Sequence, residues 1–254
     1  MLYTRVSPSR ALHLNFSHDY RFPSEKGQAG GDVIALTNHD DGTTALLVGD
    51  VSAKGSEGTA FASWLATLFN ISAAFISEPS QILKRLNTML CQAFSDKSRG
   101  LFAGAFVCRF FPAHRRFVYA CAGTESPILF NHLRPPEYLD YGGMVLGVDA
   151  RATYEDAIGA MDRDDMLIAY TDGVTESLRS PGSEPLGSGG VLEAVWQSID
   201  AVGRPDSEDI LTAVDRLNGG VYHDDATLAV IGFSESRRYA TSRSFLGAPL
   251  PRAG

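Results

Sequence analysis

The feature that most constrains the fold is the order in which short β-rich runs and longer helical segments follow one another. Short apolar runs come first, two helical segments follow, more short runs come next, and two further helical segments precede a final run. Turn-rich links such as Asn38–Gly42 and Pro112–Arg115 predict hairpins between antiparallel strands. Helices grouped between such strands favour a layered α+β domain over a parallel sheet wound with alternating helices.

The predicted elements are placed by their periodicity. The predicted strands lie at Ala11–Phe16, Val33–Thr37, Thr44–Gly49, Phe102–Phe111, Arg116–Cys121, Pro127–Asn131, Met166–Tyr170 and Ala226–Phe233. The predicted helices lie at Ser56–Ile76, Pro79–Phe94, Gly190–Ile199 and Ser207–Leu217. We expect one domain over residues 1–233, because no Pro/Ser-rich linker divides the chain. Apolar periodicity ends near Ser234, and residues 234–254 are predicted to be a flexible tail.

One segment, Thr59–Ser77, has no charged side chain and is nearly long enough to cross a bilayer. Its bulky residues recur at helical spacing and it contains several polar residues, so a buried amphipathic helix packed on a sheet is the better interpretation. The N-terminus lacks the apolar core of a signal peptide. Cys91, Cys108 and Cys121 have no CxxC spacing, which predicts free thiols in a reducing, cytoplasmic compartment.

Acidic residues stand at the ends of predicted strands that are far apart in sequence. They occur in GGDVIAL, GDVSAKG, YTDGVTE and HDDATLAVI, as Asp32, Asp50, Asp172, Asp224 and Asp225. Singly, an aspartate beside a glycine at a strand end is usually a turn residue, and we expect that role for Asp162, Asp164 and Asp165. Together, the strand-end acids predict a cluster at one edge of a sandwich.

Such a cluster predicts both a cofactor and a reaction. Converging carboxylates repel one another, and a divalent cation removes that cost. Oxygen ligands select Mg²⁺ or Mn²⁺ over zinc. Two cations that share a carboxylate lower the pKa of a bound water toward neutrality, so that the resulting hydroxide can attack phosphorus in line. The chain lacks a P-loop, a CxxxxxR thiolate loop and a GxSxG motif, so we predict a metal-dependent phosphatase without a nucleophilic side chain.

Taken in order, these motifs resemble those of bacterial PPM-type serine/threonine phosphatases of the SpoIIE/RsbU class. The resemblance covers roughly residues 12–233 and rests on GGD at Gly30–Asp32, GDVSAKG at Gly49–Gly55, LG at Leu146–Gly147, YTDGVTE at Tyr170–Glu176 and DDATLAV at Asp224–Val230. Each motif alone is weak, whereas the ordered set is specific. The resemblance implies a four-layer α-β-β-α sandwich of two antiparallel sheets flanked by helix pairs, with the metals at one end.

The resemblance also implies roles for individual residues. The implied metal ligands are Asp32, Asp50, the Val51 carbonyl, Asp172 and Asp224. Asp50 resembles the acid that bridges two cations, and Asp32 resembles an acid that helps to hold a metal-bound water. Asp225 is expected to support the ligands without binding metal. Glu176 either orients a metal-bound water or caps a turn.

Two positions depart from the family's usual sequence. Ala53 replaces the second glycine of GDVSGKG, and a loop that needs positive φ there would be strained. Thr124 stands where AGHxP has histidine, which bears on local architecture, regulation and substrate contacts. Two neighbours carry alternatives: Lys54 is more simply a solvated loop residue than a phosphate contact, and His223 is more simply a structural or exposed residue than a general acid.

The resulting hypothesis is an enzyme that hydrolyses phosphoserine or phosphothreonine on a protein. The resemblance suggests a bacterial regulator, such as an anti-sigma-factor antagonist, as the substrate and an activating or regulatory protein as a further partner. Two alternatives stay open: a PPM-like binding module without turnover, and a small-molecule phosphomonoesterase. The formal net charge of −8 argues against nucleic acid and anionic membranes as partners.

Overall fold

The computed structural model describes residues 12–24, 30–94, 100–140, 142–180 and 182–234. Within these residues, ten strands numbered in chain order form two antiparallel five-stranded sheets. The first sheet contains, from edge to edge, β1 (His13–Arg21), β10 (Ala226–Ser234), β9 (Met166–Tyr170), β6 (Ile128–Asn131) and β7 (Arg134–Tyr138). The second sheet contains β2 (Asp32–Asn38), β3 (Thr44–Val51), β4 (Ala103–Phe111), β5 (Arg116–Ala122) and β8 (Ala157–Ala160).

The helices of the described chain are α1 (Gly55–Ala73), α2 (Pro79–Ala93), α3 (Asp172–Thr175), α4 (Gly187–Val202) and α5 (Ser207–Asn218). Pro79 occupies the first turn of α2, where a missing backbone N–H breaks no helical hydrogen bond. A capping box starts α5, in which Asp206 and Asp209 each accept a hydrogen bond from the backbone N–H of the other. Local chemistry therefore fixes where both helices begin.

Three apolar clusters define four layers. The helices α1 and α2 pack on the second sheet through residues such as Phe61 and Leu65. The helices α4 and α5 pack on the first sheet. A third cluster, which includes Phe110 and Phe233, fills the space between the sheets. The predicted α+β sandwich of two antiparallel sheets flanked by helix pairs is confirmed.

The uncharged segment found in the sequence forms α1. Its buried residues, including Phe61, Leu65 and Phe69, face the second sheet, and the helix also contacts α2. The interpretation as a buried amphipathic helix is therefore confirmed. Across the described residues, no helix is both long enough and apolar enough to cross a membrane.

Several element boundaries differ from the prediction. β1 continues to Arg21 rather than ending at Phe16, because its pairing with β10 continues along nine residues. β7 and β8, which are short and largely exposed edge strands, were not predicted. β7 has no apolar run, and in the four residues of β8 (AIGA) only isoleucine favours a strand. α4 begins at Gly187 rather than Gly190, because its glycine-rich first turn carries no helix signal.

The end of the domain also differs slightly from the prediction. Ser234, expected as the first residue of a tail, is the last residue of β10. The remainder of the predicted tail, residues 235–254, lies outside the described residues, as does Ala11 at the predicted start of β1.

Candidate metal centre

The hairpin of β2 and β3 places two of the predicted acids opposite each other. Asp32 is the first residue of β2, and its register partner in β3 is Asp50. Register partners in an antiparallel pair project from the same face of the sheet. The turn that joins the two strands lies at their other end, so both carboxylates lie at the open end of the second sheet.

The first sheet brings further acids to this end. Asp172 opens α3 two residues after β9 ends, and Asp224 lies two residues before β10 begins. Burial raises the pKa of Asp50 to about 7, and the charges of Asp172 and Asp224 add to this effect. Burial and the charge of Asp224 likewise raise the pKa of Asp172. These three carboxylates are therefore close enough to repel one another.

Asp32 joins the two sheets through a threonine. The Thr171 hydroxyl donates to Asp32 Oδ2 at 2.8 Å and accepts a hydrogen bond from the Thr227 backbone N–H at 2.9 Å. The other oxygen of Asp32, Oδ1, is buried and has no hydrogen-bond partner. Burial raises the pKa of Asp32 well above its usual value, and the charge of Asp50 adds to the shift. A buried polar atom without a partner is costly unless a ligand satisfies it.

Asp225 is a buried acid, only 1% exposed, that accepts three hydrogen bonds. Its Oδ2 accepts from the backbone N–H groups of Gly30, at 2.5 Å, and Gly31, at 2.6 Å. Its Oδ1 accepts from the Tyr20 hydroxyl. Asp225 thus ties β1 and the start of β10 to Gly30 and Gly31, which directly precede β2. The three hydrogen bonds from Tyr20, Gly30 and Gly31 to Asp225 join the two sheets and are called the Asp225 clasp below.

Gly31 leaves space beside two of the predicted ligands. A Cβ atom at Gly31 would lie 2.9 Å from Asp50 Oδ1 and 3.2 Å from the Val51 carbonyl oxygen. The Val51 backbone N–H donates to the Gly31 carbonyl at 3.1 Å, which holds the two segments together. The Asp50 carboxylate and the Val51 carbonyl therefore border a space that a larger residue at position 31 would fill.

Lys54 brings a positive charge to these acids. Its Nζ lies 2.5 Å from Asp224 Oδ2, and the side chains of the two residues are 44% and 27% exposed. Its charge also favours the ionised forms of Asp50 and Asp172 and so moderates the rise in their pKa values. Lys54 is an exposed loop residue, as the favoured interpretation expects, but its head group is also paired with an acid of the cluster.

Two other residues named by the sequence lie at the edge of the cluster. Glu176 follows α3, where its backbone N–H donates to the Asp172 carbonyl at 2.7 Å. Its carboxylate is exposed, and partial burial followed by the charges of Asp172 and Asp224 raises its pKa. His223 directly precedes Asp224 and is exposed.

A comparison with known protein families identifies the family to which the chain belongs. The family described as Stage II sporulation protein E (SpoIIE) matches residues 40–234. The chain belongs to the SpoIIE family. The matched range contains Asp50, Asp172, Asp224 and Asp225, whereas Asp32 precedes it. The predicted membership of the bacterial PPM-type SpoIIE/RsbU class is thereby confirmed.

Individual relatives agree with this assignment. The phosphoserine phosphatase RsbU of Bacillus subtilis (strain 168) is 24% identical over 205 residues, which cover 80% of this chain and 59% of RsbU. The SpoIIE-family chain thus spans about three fifths of the length of that relative. The SiaA-PP2C domain of Pseudomonas aeruginosa superposes with a TM-score of 0.73 at 15% identity, covering 86% of each chain. RsbX in complex with magnesium gives a TM-score of 0.64 at 16% identity, covering 87% of this chain and 96% of RsbX.

One departure from the usual SpoIIE-family sequence causes no strain. Among the described residues, Arg115 alone is a non-glycine residue with positive φ. Ala53 therefore has an ordinary backbone conformation, and its methyl group is buried in the core beneath α1. The positive φ in this loop falls instead on Gly55, at 63°.

The other departure places an acid near the cluster. Thr124 is half-buried in the loop between β5 and β6, and Glu125 follows it. Burial raises the pKa of Glu125, and the nearby charges of Asp172 and Glu176 add to the rise. In this member of the SpoIIE family, the loop that usually carries a histidine therefore adds negative charge beside Asp172.

The donor set of this SpoIIE-family site fits a hard divalent cation. Its candidate donors are carboxylate and carbonyl oxygens, one buried oxygen of Asp32 lacks a partner, and the missing side chain of Gly31 leaves Asp50 Oδ1 uncrowded. Within the described ranges, however, no three Asp, Glu, His or Cys side chains already converge closely enough to hold an ion. Asp224 is instead paired with Lys54.

Sequence reasoning missed three residues that contribute to the site. Thr171 directly precedes Asp172, so its place in the YTDGVTE motif was a usable signal. No sequence signal pointed to Tyr20, because its hydrogen bond to Asp225 joins residues 205 positions apart. Glu125 lies in the AGTESP loop directly after Thr124, so its place beside the departure from AGHxP was a usable signal.

Proposed function

We propose that this SpoIIE-family domain is a metal-dependent phosphatase that hydrolyses phosphoserine or phosphothreonine on a protein. The observation that carries the proposal is that Asp32 and Asp50 of one sheet lie at the same end of the sandwich as Asp172 and Asp224 of the other. Oxygen-rich clusters with raised pKa values are typical of cation-dependent active sites. The name of the relative RsbU, phosphoserine phosphatase, supports this reaction.

The proposed cofactors are two divalent cations, Mn²⁺ or Mg²⁺. Their proposed direct ligands are Asp50, the Val51 carbonyl, Asp172 and Asp224. When bound, such cations lower the pKa of a water molecule and offset charge on the phosphoryl oxygens. The magnesium in the RsbX complex supports a hard divalent cation in this fold.

The remaining acids have supporting roles in the proposal. Asp32 orients the attacking water through its unpartnered Oδ1 and is itself held by the Thr171 hydroxyl. Asp225 fixes the backbone of Gly30 and Gly31 and so holds Gly31 beside Asp50. Glu176 lies at the rim, where its carboxylate orients water.

We propose a phosphorylated bacterial regulator as the substrate, such as an anti-sigma-factor antagonist, with an activating or regulatory protein as a second partner. The match to the SpoIIE family and to RsbU supports this class of substrate. We propose that residues 1–233 act as a single phosphatase domain in the cytoplasm. The three free thiols of Cys91, Cys108 and Cys121 support a reducing compartment.

The experiment is a phosphatase assay with a chromogenic phosphate ester and added Mn²⁺ or Mg²⁺. Asp172→Asn is expected to reduce turnover roughly a hundredfold or more, because it removes a charged ligand. The matched control is Asp164→Asn, which alters an exposed aspartate in a turn away from the cluster and is expected to retain wild-type turnover. Phosphopeptides and sugar phosphates are then compared as substrates.

Three outcomes would contradict the proposal. Unchanged turnover in Asp172→Asn would exclude this acid from the chemistry. Failure of the wild-type protein to bind Mn²⁺ in calorimetry would favour a binding module without turnover. Faster hydrolysis of sugar phosphates than of phosphopeptides would favour a small-molecule phosphomonoesterase.

A further inference from the structure

Lys54 occupies an unusual position for a lysine in a loop. Its ammonium group is paired with Asp224 Oδ2, and its charge also acts on Asp50, Asp172 and Glu176. Its positive charge is therefore directed at the acid cluster. The side chain is nevertheless 44% exposed, so its head group is not confined by packing.

The backbone beneath this side chain is tightly fixed. Lys54 directly precedes α1, and its carbonyl accepts a hydrogen bond from the Gly58 backbone N–H at 3.2 Å. A Cβ atom at Gly58 would lie 2.2 Å from the Ala53 carbonyl oxygen and 2.5 Å from the Gly30 carbonyl oxygen. The start of α1, the loop before it and the turn before β2 are therefore packed together. Only the flexible stem of Lys54 is free to redirect its charge.

We propose that Lys54 binds the phosphoryl group of the substrate, and that Asp224 holds its ammonium group at the site until a divalent cation takes this carboxylate. The inference rests on the proposed function, since it assigns a substrate contact within the same site. It predicts that Lys54 has opposite effects on the two ligands. The ammonium group competes with the cation for Asp224, but it attracts the phosphate.

Charge explains why the ammonium group moves between partners. A cation at Asp224 neutralises the carboxylate and repels the ammonium group, which is then released from Asp224. A phosphate dianion at the same end of the sandwich provides several strong acceptors. Lysine suits this exchange because its charge is compact and its stem is flexible.

The test compares Lys54→Met with the matched control Lys84→Met, which removes one positive charge from an exposed position on α2. Mg²⁺ is first titrated into each metal-free protein in calorimetry. Lys54→Met is expected to bind Mg²⁺ about three- to tenfold more tightly than the wild type, because the competing ion pair is gone. Inorganic phosphate is then titrated into the Mg²⁺-loaded proteins, and Lys54→Met is expected to bind it about tenfold or more weakly.

Lys54→Arg tests whether the position requires a positive charge. It is expected to bind phosphate within about threefold of the wild type, because a guanidinium group also pairs with phosphate oxygens. Lys84→Met is expected to match the wild type in both titrations. Unchanged phosphate affinity in Lys54→Met would overturn the inference, and so would weaker Mg²⁺ binding, which would indicate a structural role. If the wild-type protein bound no Mg²⁺, the proposed function would fail first and this inference with it.

Discussion

Asp32 and Asp50 are direct partners across the antiparallel pair β2–β3, so their carboxylates project from the same face of the sheet at its open end. Burial raises the pKa values of both, that of Asp50 to about 7. The ionised cluster is therefore costly to the folded protein. A bound cation would convert this repulsion into attraction, which links metal binding to stability.

The first prediction concerns this link. Mn²⁺ at about a hundred times its dissociation constant is expected to raise the melting temperature of the wild type by roughly 5–10 °C. Asp50→Asn is expected to lose most of this response, because it removes the acid that both predicted cation positions share. Without metal at pH 8, the variant is expected to be at least as stable as the wild type, since it removes a repelling charge. Thermal denaturation with and without Mn²⁺ measures both effects.

The control for this measurement is Asp164→Asn, which changes an exposed aspartate and is expected to keep the full response to Mn²⁺. An equal Mn²⁺ response in Asp50→Asn and the wild type would show that the cation binds elsewhere.

The second prediction concerns the space beside Gly31. In Gly31→Ala, the added methyl group would lie 2.9 Å from Asp50 Oδ1 and 3.2 Å from the Val51 carbonyl oxygen. Because both atoms must move, Mn²⁺ affinity is expected to fall about tenfold or more. Gly189→Ala is the control, since it lies in α4 with no atom within 4 Å of the new Cβ, and it is expected to be neutral or slightly stabilising. Calorimetry with Mn²⁺ checks both variants, and an unchanged affinity in Gly31→Ala would contradict the role given to this space.

The third prediction concerns the clasp around Asp225. Tyr20→Phe removes one of the three hydrogen bonds to this buried carboxylate and is expected to lower the free energy of unfolding by about 1–2 kcal/mol. The loosened turn is also expected to weaken Mn²⁺ binding by about threefold, although Tyr20 is not a predicted ligand. Tyr138→Phe, on an exposed edge strand, is the control and should change neither quantity. If Tyr20→Phe lost stability without any loss of Mn²⁺ affinity, the clasp would be structural only.

Much of the fold could be predicted from the sequence, because the spacing of apolar residues reflects which faces of a strand or helix are buried. Short apolar runs rich in β-forming residues predicted the central strands, and the helical spacing in α1 outweighed its similarity to a membrane span. β7 and β8 could not be predicted, because few of their side chains are buried. These edge strands are held by backbone pairing with β6 and β5. The start of α4 could not be predicted, because its first turn is rich in glycine, whose helical conformation depends on tertiary packing.

The candidate metal site was also predicted only in part. The proximity of Asp50, Asp172 and Asp224 was predicted, because strand ends place side chains at fixed points. The pairing of Lys54 with Asp224 was not found, because it joins residues 170 positions apart. The backbone strain that a positive φ would cause at Ala53 is absent, because the left-handed conformation in that loop falls on Gly55. Motif order predicts which residues are involved, whereas their contacts depend on how the two sheets meet.

The last prediction concerns pH and an acid outside the site. Asp165 is 1% exposed and accepts hydrogen bonds from Asn131 Nδ2 at 2.5 Å, from the Arg134 guanidinium at 2.5 Å and from the Asp162 backbone N–H at 2.7 Å. Burial alone would raise the pKa of Asp165, but these three hydrogen bonds outweigh it and lower the pKa below its usual value. Ionised Asp165 therefore stabilises the fold above the unfolded-state pKa of about 3.9, and this contribution is lost as the pH falls through the lower folded-state pKa.

Asp165→Asn is expected to lower the free energy of unfolding by about 2–3 kcal/mol at pH 7, because the amide cannot accept all three hydrogen bonds and lacks the charge. The difference from the wild type should persist at pH 5 and shrink at pH 3, because pH 3 lies below the unfolded-state pKa and the charge then contributes less stability. Urea denaturation at the three pH values measures this trend, with the exposed Asp164→Asn as the control. A destabilisation that stayed constant down to pH 3 would show that the loss comes from packing around position 165 and not from the charge of the carboxylate.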